Sequence, residues 1–190
     1  MSVLLDVLGS VIIGAMLLMM MTTFQIQLQE SSQRILYVAT MVDNMDMAAT
    51  KINKTFALAG IGMPVDSVCV IAETNRVAFK TFWDCNSDTL STTRHTIEIK
   101  IADTANNYGK ALIISQDGTP MTNAGYIFYI EAISFIYYNK SDVVTNSAGT
   151  VRSADVLLTF RRDSNGAGNR PLRTNIQVKC YFMNSYLQGA

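Results

Sequence analysis

Two hydrophobic periods divide the chain. Residues 3–21, "VLLDVLGSVIIGAMLLMMM", are apolar at nearly every position, broken by Asp6, Gly9, Ser10 and Gly14. A helix needs about 20 apolar residues to cross a bilayer, and this stretch matches that length. From Ile35 onward the apolar positions thin out to Ile35, Val38, Met41 with Val42, Met45, Ala49, Ile52 and Phe56. Steps of three and four trace one face of an α-helix. Gln33, Arg34, Asp43, Asp46, Lys51 and Lys54 fall on the other faces. No proline precedes Pro64, and "LAGIGMP" (residues 58–64) then supplies two glycines and a proline as a stop. The pattern predicts one helix of about 60 residues and about 90 Å. Its first half is expected in lipid or other protein, and its second half on its own domain.

Beyond Pro64 the period changes to two. "VCVIAETNRVAFKTF" (68–82) reads as two strands joined by a polar turn at residues 73–75. "HTIEIKIAD" (95–103) alternates, with Ile97, Ile99 and Ile101 opposed to Glu98 and Lys100. "ALIISQDGTP" (111–120) is a strand running into an Asp117-Gly118 turn. "YIFYIEAISFIYYN" (126–139), "SADVLLTFRRD" (153–163) and "RTNIQVKCYF" (173–182) complete the set, with "DSNGAGNRP" (163–171) a loop by composition. The expected fold is α+β: a long N-terminal helix with a protruding apolar half, and an amphipathic half packed on a single, mostly antiparallel sheet. The expected organisation is an apolar helix over 1–27, an amphipathic helix half over 28–63, and a β-rich head over 64–190.

Charge sharpens this division. The chain carries 15 basic and 15 acidic residues, so it lacks the basic footprint of a nucleic-acid binder. The balance is uneven along its length. Through residue 33 the charged side chains are Asp6 and Glu30, and the first basic one is Arg34. A signal peptide would carry a basic start and a small-residue cleavage site, and an ordinary anchor a basic cytoplasmic flank. Neither is evident. A carboxylate in mid-bilayer costs about 2.5–3.5 kcal/mol on insertion scales, so Asp6 calls for a reason. Cys69, Cys85 and Cys180 allow one disulfide at most, with the pairing open, and none forms a CxxC pair.

Three places carry a family likeness. They are the apolar helix with one early acid, "LLDVLGSVIIGAMLL"; the helix end "INKTFALAGIGMP" (52–64); and the tail "YIEAISFIYYNKSD", "VRSADVLLTFRR", "RPLRTNIQVKCYFMN". In layout the whole chain resembles the type IV pilin superfamily, and most of all its larger minor pilins and J-type pseudopilins. The resemblance implies a pilin-like fold and a helix that spans the inner membrane before assembly and forms the filament core afterwards. It implies an assembly surface of Val3, Leu4, Leu5, Val7, Leu8, Val11, Ile12, Ile13, Leu17 and Leu18. It also implies that Asp6 pairs with the α-amine, here of Met1, on a neighbouring subunit. The family's acid is usually a glutamate, and Asp6 lies one place late unless Ser2 is the first residue. The family's basic leader ending in glycine is not seen, so a processed chain is expected. The family's usual proline in the apolar helix is missing, which leaves Gly14 and Thr22–Thr23 as the places where the helix could unwind.

Other motifs have plainer readings. Asp84, Asn86 and Asp88 place oxygens at alternate positions, like the opening of a calcium loop, but lack its central glycine and closing glutamate. A solvated loop is expected, with no metal and no cofactor. Asn139 and Asn53 begin N-x-[ST] triplets, and Asn139, at a strand end, is the better glycosylation candidate. His95 has no cluster around it in sequence and is expected at the surface beside a strand. The methionines fill irregular gaps between helices.

The expected function is therefore a structural, non-enzymatic subunit of an extracellular, cell-surface pilus-like filament. Its partners would be copies of itself, pilus assembly machinery, prepilin peptidase and the inner membrane. One alternative is a minor pilin or pseudopilin that primes or caps a pilus or a type II secretion pseudopilus. The other is a membrane-anchored binding or enzymatic domain.

Overall fold

The computed structural model describes residues 2–106, 109–121, 127–162 and 171–188. Helix α1 (Ser2–Ala57) is continuous over 56 residues, about 84 Å at the usual rise. The head then supplies β1 (Cys69–Glu73), β2 (Arg76–Asp84), β3 (Thr89–Asn106), β4 (Gly109–Gln116), β5 (Thr119–Pro120), β6 (Tyr129–Ile130), β7 (Ala132–Tyr138), β8 (Ser153–Arg162) and β9 (Leu172–Tyr181). A short helix, α2 (Met183–Gln188), follows. The fold is α+β, a long helix on antiparallel strands. Met1, Tyr126 and most of the 163–171 loop lie outside the described residues.

The single sheet expected from the sequence is two sheets. One runs β1-β2-β3-β4-β5 with β6 also on β4, and the other is β7-β8-β9; every pairing is antiparallel. The division falls inside the run read as one strand over 126–139. Tyr129 and Ile130 pair with Ala111 and Lys110 of β4, whereas Ala132 begins a new ladder opposite Thr159 of β8. The two sheets are stitched together by the Tyr137 hydroxyl, which donates to the carbonyls of Glu73 (2.8 Å) and Arg76 (3.1 Å) in the β1–β2 turn. Asp117 (φ 51°) and Gly118 (φ 82°) both take positive φ, the conformation an Asp-Gly hairpin turn requires.

The core lies where α1 meets both sheets. Met41, Met45, Ala48, Ile52 and Phe56 are buried on one arc of the helix. The expected face included Ile35, Val38 and Val42, but these remain 66%, 41% and 54% exposed. At about 100° per residue, Ile35 and Val42 sit on the flank of that arc. Contact with the head begins at Tyr37, whose ring lies 4.7 Å from the Arg162 guanidinium. Phe56 is the hub: its ring is 5.8 Å from Phe79 of β2, 6.4 Å from Phe135 of β7 and 5.1 Å from Phe182. One helical side chain therefore ties both sheets and the C-terminal segment together.

The helix end is bonded to the head. A helix leaves its last carbonyls without intrahelical partners. Here the fully buried Thr81 hydroxyl donates to the Leu58 carbonyl (2.7 Å), and the Asn184 amide donates to that of Ala59 (3.0 Å). Gly60 takes φ +76°, and its N–H donates to the Lys80 carbonyl (2.9 Å). A Cβ there would meet Val68 at 2.8 Å, so this turn requires glycine for both conformation and space.

Candidate functional site

The projecting part of α1 is the molecule's most distinctive surface. From residue 3 to residue 36 every position is exposed except half-buried Gly9. The ten apolar side chains expected at an assembly surface range from 53% exposure at Ile12 to 78% at Leu4. They point in all directions around the axis, and no face of this segment is covered by the rest of the described residues. The most apolar window reaches a mean hydropathy of 2.4, with none of it buried, and α1 is long and apolar enough to cross a membrane. A soluble core helix would be buried, and this segment is not.

The hydroxyls within residues 3–23 are satisfied locally. Ser10 donates to the Val7 carbonyl, Thr22 to those of Leu18 and Met19, and Thr23 to that of Met19, at 2.8–3.0 Å. Such back-bonding lets a hydroxyl enter an apolar medium without an unmet donor. The helix is unbroken at Gly14, Thr22 and Thr23. Asp6 differs: it is exposed and has no hydrogen-bond or ion-pair partner among the described residues. The first basic side chain, Arg34, lies roughly 42 Å along the axis at 1.5 Å per residue.

The 84–88 loop is organised as a turn. Asp84 Oδ1 accepts from the Asn86 N–H (2.9 Å) and the Gln116 amide (2.7 Å), and Oδ2 accepts from the Ser87 hydroxyl (2.8 Å). These donors, Gln116 foremost, hold the carboxyl down at about 2. Asp88 takes φ 53° and lies 4.0 Å from Lys54. Among the described residues no group of three or more His, Cys, Asp or Glu side chains could hold a metal ion. Asn139 Oδ1 accepts from the N–H groups of Ser141 and Val143, and its triplet lies on an exposed turn. Asn53 is exposed, but the hydroxyl of its triplet, on Thr55, is buried and donates to the Lys51 carbonyl. Cys69, Cys85 and Cys180 are free thiols, and burial pushes those of Cys69 and Cys180 up to about 12.

His95 departs from the isolated surface residue expected. Its Nδ1 is 2.7 Å from Asp117 Oδ2, and its Nε2 is 3.1 Å from Ser91 Oγ and 3.3 Å from Thr93 Oγ1. The β3–β4 register brings Asp117 there, with its N–H donating to the Thr96 carbonyl and its Oδ1 accepting from the Thr96 N–H. A bulge brings the hydroxyls. Thr81 pairs with His95 and Trp83 with Leu90, so β2 has Phe82 between these pairs where β3 has residues 91–94. The Asp-Gly turn was readable in sequence, but the bulge that folds Ser91 back onto His95 has no sequence signal.

A cavity of about 940 Å³ opens where α1 leaves the head, lined in part by Tyr37, Asn44, Lys110, Glu131 and Arg162.

No protein-family model matches the chain, and no curated protein matches it in sequence. Among solved structures, a type IV-like pilin from Thermus thermophilus is similar with a TM-score of 0.49 at 8% identity, over 76% of this chain and 97% of that one.

Proposed function

We propose that this chain is a type IV pilin-like structural subunit, held in a membrane by residues 3–21 and polymerising through them into an extracellular filament. One observation carries the reading. A helix rooted in the core at Phe56 continues without a break into a segment that its own fold leaves uncovered on every side. Burial of such a segment is worth about 25 cal/mol per Å² of apolar surface relative to water. Relative to lipid that drive shrinks, so helix packing and the Asp6 charge must set the register between neighbours. The α-amine of an adjacent subunit is the partner proposed for Asp6, since an apolar bundle stabilises a carboxylate only beside a cation.

The test is Asp6→Ala. The variant should reach the membrane as the parent does but yield few filaments. Normal filament yield would overturn the register role. Immunolabelling then separates a major subunit, found all along the filament, from a minor or priming one found at its ends. The cavity beside Lys110, Glu131 and Arg162 supports a second reading, an anchored binding domain. That reading gains if the chain extracts only as monomers and no filament is found in the medium.

A further inference from the structure

We propose that Ser91, His95 and Asp117 form a nucleophilic site at which the head takes an acyl group from an activated ester onto Ser91. This activity lies beyond filament assembly and does not depend on it.

Proton positions follow from the acceptors. Asp117 in its ionised form can only accept, so His95 Nδ1 carries the hydrogen across the 2.7 Å contact. In the neutral imidazole Nε2 is then bare, and a hydroxyl must donate to it. Ser91 Oγ, at 3.1 Å, is nearer than Thr93 Oγ1, at 3.3 Å. Thr93 lies close to both groups: its N–H donates to Ser91 Oγ at 3.0 Å, and its hydroxyl is 2.9 Å from that oxygen and 3.3 Å from Nε2. In this arrangement Ser91 donates to His95 Nε2, and Nδ1 donates to Asp117. His95 Nε2 is the base that removes the proton from Ser91 Oγ as that oxygen attacks the acyl carbon. The site opens to solvent, with the His95 side chain 16% exposed and Ser91 half-buried on the bulge.

The step balances without a further reagent. Ser91 Oγ passes its proton to His95 Nε2 and bonds to the acyl carbon. The bond from that carbon to the leaving oxygen breaks, and the leaving group departs with the proton from Nε2. The products are O-acyl-Ser91 and an alcohol or phenol, and His95 is returned to its starting state. Asp117 acts as a positioning residue that holds the imidazole in the productive tautomer.

The experiment treats the full chain in detergent micelles with 4-nitrophenyl acetate and locates acetyl groups by peptide mass spectrometry. Ser141, an exposed serine with no imidazole beside it, is the internal reference. The expected result is acetylation of Ser91 about 10²–10⁴-fold faster than of Ser141, the usual gain from a placed general base. His95→Gln should bring Ser91 to the Ser141 rate, and added imidazole should restore part of the rate in His95→Ala. Asp117→Asn keeps a side chain that tolerates positive φ. It should slow Ser91 and move the imidazole proton from Nδ1 to Nε2 in nitrogen NMR spectra. Equal rates at Ser91 and Ser141 in the parent chain would overturn the proposal. So would a Ser91 rate that His95→Gln leaves unchanged.

Discussion

The two ends of α1 have the same backbone and opposite surroundings. From Met41 to Phe56 the helix keeps one arc dry against two sheets, and its other faces carry Asp43, Asp46, Lys51 and Lys54. From Val3 to Met21 it is apolar on nearly every side, and no other part of the described residues covers it. An amphipathic helix needs only a floor, whereas one apolar on every side needs a solvent or a crowd of neighbours. The two segments should therefore respond to substitution in separate assays, and that separation can be broken or sharpened.

The largest effect on the head is expected from Phe56→Ala. Removing the ring that joins Phe79, Phe135 and Phe182 should cost about 3–5 kcal/mol. Chemical unfolding of the full chain in detergent, followed by the fluorescence of Trp83, measures it. A loss below 1 kcal/mol would mean that the root of the helix is not the keystone described above. Thr81→Val comes next. It keeps the volume but strands the Leu58 carbonyl, for about 1–3 kcal/mol in the same assay.

A smaller effect depends on pH. The Asp84 carboxyl sits at about 2 in the folded head, below the roughly 3.9 of an unfolded aspartate. Because the folded value is the lower one, its contribution is present above about pH 4 and is lost as the pH falls toward about 2. The gap in stability between the parent and Asp84→Asn should narrow across that window. A constant gap would mean that the charge contributes nothing. The smallest effects on the head, about zero, belong to Val11→Ala and Gly14→Leu. A Cβ at Gly14 meets nothing within 4 Å, so any loss of filaments in Gly14→Leu must arise between chains. An equal loss of head stability in either variant would erase the contrast between the two segments.

Much of this layout was readable from local chemistry. The switch from steps of three and four to alternation, the glycines before Pro64 and the Asp-Gly pair each act through their nearest neighbours. What was missed depends on distant partners. Glu131 ends one sheet and begins another because β4 and β8 lie on either side of it, which no period in "YIFYIEAISFIYYN" encodes. Met41 faces inward as expected, but Val42 does not join it and Ala48 takes the place expected for Ala49, because the head fixes the helix's rotation about its axis. Helix α2 is too short to show a period. His95 looked solitary because its companions come from a bulge in its own strand and from the turn after β4. For the apolar segment the sequence showed its character, and the structure adds that none of the other described residues covers it.

The anchored end of α1 has a mechanical consequence. Between Gly14 and Gly60 the chain contains no glycine and no proline, and just past the helix end at Ala57 the carbonyls of Leu58 and Ala59 accept bonds from Thr81 and Asn184. The connection has no swivel. Turn the buried rod by one residue's worth of angle, and the head must turn with it, as a key's bow turns with its blade. In an assembly of such rods, the packing chosen at the centre would determine which face of each head, the Ser91 bulge included, is presented to the outside.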